Sequence, residues 1–290
     1  MPPTPRHPKS SAPSTPRAIS PLLLFSFLLP LLALLFPYSH LLPSSSREPH
    51  FSSYVRFDST STTHSPKALL LTAHPDDEVM FFSPTILSLV KEGWEVSGLC
   101  LSTGNSSGLG QIRTEELHSS YEYLGVDRGN VKVVDHPNLQ DSMSSHWDPE
   151  LIADLLNNHL KDHPVDLIIT FDSTGITHHP NHISLPLSLP LLSCDTKPRI
   201  LHLISPGVIP KFTGPVYPIY LNIRRIATQI LGLGSATEGK SGRQVMITSS
   251  PARWVQSIQA MMAHRSQLVW FRWLYLAASK LMWVNELIEV

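Results

Sequence analysis

The sequence predicts an α/β protein, a Rossmann-like and mostly parallel sheet with helices on both faces, preceded by an N-terminal transmembrane helix. Three observations carry that expectation. From Ala68 onward, short apolar runs alternate with helix-length amphipathic segments, the pattern of βαβ units. Two of those runs, Ala68–Thr72 and Asp166–Phe171, end abruptly in stretches rich in histidine and polar residues. In an open α/β sheet, ligands bind just outside the carboxyl ends of the strands, where both stretches fall. Finally, the segment 21–42 holds an apolar run of about 21 residues, Leu22 through Leu42, long enough to cross a bilayer core as a helix.

Composition narrows the function classes. With 22 basic and 23 acidic residues the net charge is −1, which offers no electrostatic footprint for nucleic acid. The 2 cysteines, Cys100 and Cys194, sit in or beside apolar runs and read as buried free thiols rather than a disulfide framework. No internal repeat is present.

Residues 1–20 are a Pro- and Ser-rich leader with Arg6, Lys9 and Arg17, a composition that favours disorder. The 21–42 run reads as a membrane anchor over its rival, a cleaved signal peptide, because the leader is long and no small-x-small cleavage site follows. Pro30 is tolerated in a membrane helix. Residues 43–65, rich in Ser and Thr, form a linker. Two signals for orientation oppose each other. Basic residues ahead of the span favour a cytosolic N-terminus and a lumenal remainder. The sequon Asn105-Ser106-Ser107 lies in a loop beside the expected site, where a glycan would obstruct it, and so favours a cytosolic body.

The body occupies 66–250. Its first strand, Ala68–Thr72, runs into Ala73-His74-Pro75-Asp76-Asp77-Glu78, and a helix follows over about Val79–Lys91. Pro and acids in a first turn also make an ordinary helix start, so this cluster alone does not decide between a cap and a metal site. A second strand, Glu95–Leu101, leads into the loop Ser102–Gly110, which matches neither the dinucleotide nor the P-loop spacing. Next come a helix over about Gln111–Leu124, a strand Val131–Asp135, a helix Pro149–Lys161 and the strand Asp166–Phe171. The loop after that strand holds His178, His179 and His182. The strand ends of a parallel sheet share one edge, so this loop can face His74 and Asp77. Three histidines in five positions there favour a metal site. His179 and His182 share a face if the turn is helical, and His178 points elsewhere. Further strands are expected at Arg199–Ile204 and Gln244–Thr248, the latter reached through Val216–Ala227 and a glycine-containing loop, Gly232–Gly242.

Residues 251–290 form the tail. A helix from Pro251 to about His264 and an apolar helix over Ser266–Leu287 carry Trp254, Trp270, Trp273 and Trp283, four of the chain's 6 tryptophans. They read as a core-packing pair, with an interfacial membrane helix as the alternative; Arg272 and Lys280 argue against a second full span.

The paired motifs Ala73-His74-Pro75-Asp76-Asp77-Glu78 and His179-Pro180-Asn181-His182 resemble those of the LmbE-like deacetylases. Arg113-Thr114-Glu115-Glu116-Leu117 and the tail from His264 to Tyr275 resemble the eukaryotic branch, the PIG-L family of GlcNAc-phosphatidylinositol de-N-acetylases. The resemblance covers roughly residue 66 to the end. It implies hydrolysis of the N-acetyl group of GlcNAc-phosphatidylinositol, the second step of GPI-anchor biosynthesis, by a domain anchored on the cytosolic face of the endoplasmic reticulum membrane. By the same carry-over His74, Asp77 and His182 are metal ligands, Asp76 is the general base, and His179 assists at the scissile carbonyl. Arg113 and, more weakly, Asp141 become substrate-binding candidates. The cofactor implied is a divalent metal, zinc in the first place, with iron(II) as the alternative for two histidines and a carboxylate. Rival readings are a deacetylase of another N-acetyl sugar or glycolipid and a non-catalytic membrane scaffold. The complete ligand set speaks against the scaffold.

Overall fold

The structure, a computed structural model, describes Phe51 and residues 65–193, 197–230 and 244–290. The expected leader, the 21–42 anchor, nearly all of the 43–65 linker, Cys194 and the Gly232–Gly242 loop lie outside the described residues. Phe51, inside the expected linker, is buried edge-on against Trp94, with ring centroids 5.5 Å apart. Among the described residues no helix is long and apolar enough to cross a membrane.

The strands are β1 (Lys67–Thr72), β2 (Glu95–Cys100), β3 (Val131–Val133), β4 (Leu167–Phe171), β5 (Arg199–Leu203), β6 (Gln244–Thr248) and β7 (Val284–Glu289). They form one sheet in the order β3-β2-β1-β4-β5-β7-β6. The pairings from β3 through β5 are parallel, and β7 runs antiparallel to both β5 and β6. Both central strands are buried almost throughout, which is why they read as continuous apolar runs rather than alternating ones. Thr170 adds a side-chain clip, its hydroxyl donating to the Leu71 carbonyl at 2.8 Å.

The principal helices are α1 (Asp77–Lys91), α2 (Gly110–Tyr123), α3 (Pro149–Asp162), α4 (Pro180–Ser188), α5 (Val216–Ile230), α6 (Pro251–Ala263) and α7 (Trp270–Ala278). They gather into two groups, α1 with α2 and α6, and α3 with α4. Several start where capping chemistry dictates. Asp148 accepts from the Glu150 N–H ahead of Pro149, and Ser250 accepts from the Arg253 N–H ahead of Pro251. Cys100 is a buried free thiol, as expected.

One expectation is overturned. The apolar stretch Ser266–Leu287 is not a helix: α7 stops at Ala278, and the chain re-enters the sheet as β7. Ser279 takes an extended backbone and caps the following turn, accepting from the Leu281 N–H. The antiparallel ladders on both sides of β7 outweigh the helical preference of an Ala- and Leu-rich run. The tryptophans divide accordingly. Trp254 and Trp283 stack in the core at 5.1 Å, while Trp270 and Trp273 stand exposed.

The order β3-β2-β1-β4-β5 reverses between β1 and β4, because the chain builds outward first on one side and then on the other. Such a reversal splays the loops apart and opens a crevice at the carboxyl ends of the two strands. The loops that open it are those of His74 and His182.

Candidate active site

The β1 loop is bent by Asp76, the N-cap of α1, whose φ of 118° lies in a region L-residues rarely adopt. Such strain persists only where the surroundings hold it. Here the Asp76 N–H donates to Glu78 Oε2 at 3.1 Å. Glu78 Oε1 in turn takes the Ser120 hydroxyl at 2.6 Å and His264 Nε2 at 2.7 Å, all inside the core. The bend sends the two acids in different directions. Asp77 Oδ2 accepts the N–H groups of Ala73 and His74, at 3.0 and 2.9 Å, and Oδ1 faces His182 Nε2 at 3.2 Å. Asp76 Oδ2 instead accepts from Arg272 at 2.7 Å, with Arg113 3.8 Å away.

The β4 loop brings the histidines. His179 caps α4, its Nδ1 accepting from the Asn181 N–H at 3.3 Å, which leaves the proton on Nε2. His182, in the first turn of α4, stacks on Phe171 at 4.2 Å and donates from Nδ1 to the Gly175 carbonyl at 3.1 Å. His74 Nε2 meets Asn181 Oδ1 at 3.1 Å and Asp141 Oδ1 at 3.3 Å. In both rings the outer nitrogen has an oxygen partner, so His182 Nε2 and His74 Nδ1 are left as lone-pair donors, 3.3 Å apart. His178 faces away, exposed and at φ 57°.

His182 Nε2 therefore stands 3.2 Å from Asp77 Oδ1 and 3.3 Å from His74 Nδ1, and His74 Nδ1 stands 3.8 Å from the other Asp77 oxygen, Oδ2. Tetrahedral ligands about 2.1 Å from a metal stand roughly 3.4 Å from each other, and the two distances at His182 Nε2 match that spacing, so these donors suit a divalent ion. Ring nitrogens of His74, His179 and His182 also converge within 4.8 Å of one another, a second cluster able to hold a metal. In the aspartate-containing set each residue is aimed by a second bond, His74 through Asn181, His182 through the Gly175 carbonyl and Asp77 through two backbone N–H groups. His179 has its Nδ1 engaged in the helix cap, and it is the more exposed of the three.

Charge follows environment. Burial alone would raise the Asp77 carboxyl, but the His182 and His74 imidazoles and the His74 N–H hold it far below the usual carboxylate range. Burial raises Asp76; Arg272 opposes that, and the neighbouring Asp77 charge adds to it. Burial, with His74 and His182 alongside, lowers His179 to about 4, so at neutral pH it presents a neutral N–H rather than an imidazolium.

The sequence-predicted residues thus converge, and two change character. Arg113 is buried, donating from Nη1 to the Gly104 carbonyl at 2.9 Å and from Nη2 to the Pro75 carbonyl at 2.6 Å. It ties the loops after β1 and β2 together. Asp141 is central, lying 3.3 Å from His74 Nε2 and 3.8 Å from both His179 Nε2 and Arg113. Ser106 Oγ, in the exposed sequon, approaches Asp141 at 3.4 Å, which places that loop at the mouth of the crevice. Asn181, Glu78 and His264 are site-building residues that sequence reasoning did not single out for this role. Asn181 Oδ1 also accepts from the Ser142 N–H, and its Nδ2 donates to the Ser145 carbonyl. A polar side chain between two histidines at helix-start spacing was the available signal.

A profile of the PIG-L family, described as GlcNAc-PI de-N-acetylase, matches residues 69–187. The N-acetylglucosaminyl-phosphatidylinositol de-N-acetylase of Bos taurus is 34% identical over 221 residues, 76% of this chain and 82% of the relative. The chain belongs to the PIG-L family of de-N-acetylases. The Saccharomyces cerevisiae enzyme of the same name is 32% identical over 75% of this chain and 79% of its own. Among solved structures, a deacetylase of teicoplanin biosynthesis superposes with a TM-score of 0.53 at 11% identity, covering 77% of this chain and 98% of that one, a likeness of fold. The stretches around Arg113 and His264 touch in this fold. Glu116 accepts the Ser266 N–H at 2.8 Å and the Ser266 hydroxyl at 2.6 Å, joining α2 to the turn that follows α6.

Proposed function

We propose that the chain hydrolyses the N-acetyl group of GlcNAc-phosphatidylinositol, giving GlcN-phosphatidylinositol and acetate in the second step of GPI-anchor biosynthesis. The observation that carries the proposal is the convergence of His74, Asp77 and His182 beside a separately held Asp76. A divalent metal held by those three residues, zinc in our reading and iron(II) in the alternative, supplies the Lewis acidity that makes water a nucleophile near neutral pH.

The protein's own groups do the rest. Asp76 takes the proton of the attacking water and returns it to the leaving amine; no hydrogen bond within the described residues reaches its Oδ1. The Nε2–H of His179 stands ready for the oxygen that gains charge as the amide carbonyl is attacked. Asp141 forms the wall against which sugar hydroxyls are oriented. Arg113 acts on the substrate through the loops it holds, since both its Nη groups are committed to carbonyls. The site belongs, in this proposal, to an endoplasmic reticulum protein whose 21–42 segment anchors it with the catalytic body toward the cytosol.

Purified full-length chain is assayed on GlcNAc-phosphatidylinositol with metal analysis, with and without chelator. Chelation abolishes turnover, Asp77→Ala and His182→Ala lose bound metal, and Asp76→Asn keeps metal while kcat falls roughly 10²–10⁴-fold, the range of a general acid–base group. Full activity in Asp76→Asn would falsify the assignment.

A further inference from the structure

We infer that an exposed apolar face built from α5, the helical turn before it and the first turn of α7 is seated on an anionic bilayer surface. On α5, Val216, Tyr220, Ile223, Ala227 and Ile230 recur at helical spacing, and all are exposed, Ile230 by 78%. An amphipathic helix ordinarily turns such a stripe inward. This one turns it to solvent. The preceding turn, Val208–Lys211, adds Val208 and Ile209, the latter 84% exposed, and Phe212 follows it. At the start of α7, Trp270 is 75% exposed, with Phe271 and Trp273 beside it. Monomer surfaces rarely carry so many large apolar groups in two neighbouring elements without a partner.

The two elements are clamped together. Gly214, with φ +44°, brings its backbone so close to the Ala277 and Ala278 carbonyls that a Cβ there would lie 2.9 Å from the first. The Tyr217 hydroxyl donates to Glu286 at 3.0 Å, and the Lys280 ammonium sits 4.0 Å from the centre of the Tyr217 ring. The face and the crevice are therefore joined through one short helix, because α7 also carries Arg272, whose guanidinium reaches Asp76.

Charge selects the occupant. Residues 206–230 contain Lys211, Arg224 and Arg225 and no acid. In the C-terminal segment Arg272 is engaged by Asp76 and Lys280 by Glu286, at 2.7 and 2.8 Å, so Arg265 is the cation that segment adds. Arg224, on α5, and Arg265 are exposed. Exposed aromatic side chains beside Arg224 and Arg265, with the Glu286 carboxylate already occupied by Tyr217 and Lys280, match the headgroup level of an anionic leaflet. The proposed phosphatidylinositol substrate is itself a component of such a surface. Only that last point rests on the functional reading above.

The test uses full-length protein reconstituted in vesicles of phosphatidylcholine alone and of phosphatidylcholine with phosphatidylinositol, as wild type and as Ile209→Glu/Ile223→Glu. Two quantities are read. One is hydrogen exchange over 208–230 and 269–273, relative to detergent solution. The other is turnover of vesicle-embedded GlcNAc-phosphatidylinositol against a water-soluble GlcNAc-inositol phosphate without acyl chains. Phosphatidylinositol vesicles should slow exchange in both segments. The variant should lose that protection and roughly ten-fold of its turnover in vesicles, with turnover of the soluble compound unchanged. Unchanged exchange and unchanged vesicle turnover would overturn the inference, as would a concentration-dependent dimer in detergent that the variant dissolves, which would assign the face to a second copy. If wild type hydrolyses neither compound, the functional reading fails, and the exchange data still decide the face.

Discussion

The crevice between β1 and β4 and the C-terminal segment 251–290 meet at two adjacent acids, and each region holds one of them. Asp77 is fixed by groups of the crevice itself, two backbone N–H groups of its own loop and the His182 ring across the sheet edge. Asp76 is fixed by the C-terminal segment. Arg272 binds its carboxylate directly, and His264 holds Glu78, which holds the Asp76 backbone at its positive φ. The difference teaches a division of labour. The acid proposed to bind metal is anchored by bonds within its own loop and crevice, and the acid proposed to react is placed by residues nearly two hundred positions away. A carboxylate that must move protons needs an environment independent of the one that fixes the ligands.

The sharpest way to break that division is at His264. The His264–Glu78 pair is fully enclosed, and removing one partner of such a pair strands the other, at a cost of about 3–5 kcal/mol. His264→Ala should therefore lower the free energy of unfolding by that amount in denaturant titrations. Metal content in the folded fraction should hold, since the anchors of Asp77 are untouched, while kcat falls. The same pair sets a pH dependence. Burial would lower His264, but Glu78 beside it, and Asp76 beyond, raise it above its ordinary 6.5. A raised histidine contributes its full stabilisation below 6.5 and loses it as pH rises through the folded value. The stability gap between wild type and variant should accordingly narrow with rising pH, and a gap that widened would show that His264 is held neutral.

This contrast also explains what could be read from the chain. The parallel core and its loops were legible because β1 and β4 are apolar throughout and end in His74-Pro75-Asp76-Asp77-Glu78 and His178-His179-Pro180-Asn181-His182. A general rule about strand ends then brings the two clusters together. The role of Arg272 was not legible. On a tail read as a core-packing pair of helices it was only a charge that argued against a second membrane span. Its partner is visible only once α7 stops short and β7 enters the sheet, an event carried by pairing with β5 and β6 rather than by any local pattern. Arg113 was found by its motif, yet its burial against two backbone carbonyls has no sequence signature.

Arg272 itself gives a smaller effect. A hydrogen bond to a charged partner contributes about 1.5–3 kcal/mol. Arg272→Ala should cost kcat roughly 10–100-fold, with KM and bound metal little changed. Arg272→Lys should restore part of the rate by returning the charge without the guanidinium fork. If Arg272→Ala lowers metal content instead, the two acids are not held separately.

The weakest expected effect lies where the tail meets the sheet away from the site. Arg199 of β5 and Glu289 of β7 form a two-bonded pair at 2.6 and 2.7 Å, with about a quarter of each side chain in solvent. Such partly exposed pairs contribute about 0–1 kcal/mol. The strand has stronger tethers. It is bonded along both edges, and Asn285 accepts from the Thr85 hydroxyl at 2.7 Å and donates to the Phe81 carbonyl at 2.9 Å, tying β7 to α1 in the core. Arg199→Ala should thus shift the denaturation midpoint barely at all and leave kcat as it was, whereas Asn285→Ala should destabilise measurably. Should Arg199→Ala lower kcat, the edge charge would be transmitting strain along β7 to α7 and Asp76, and the tail would act on the site as a rigid lever rather than through Arg272 and His264 alone.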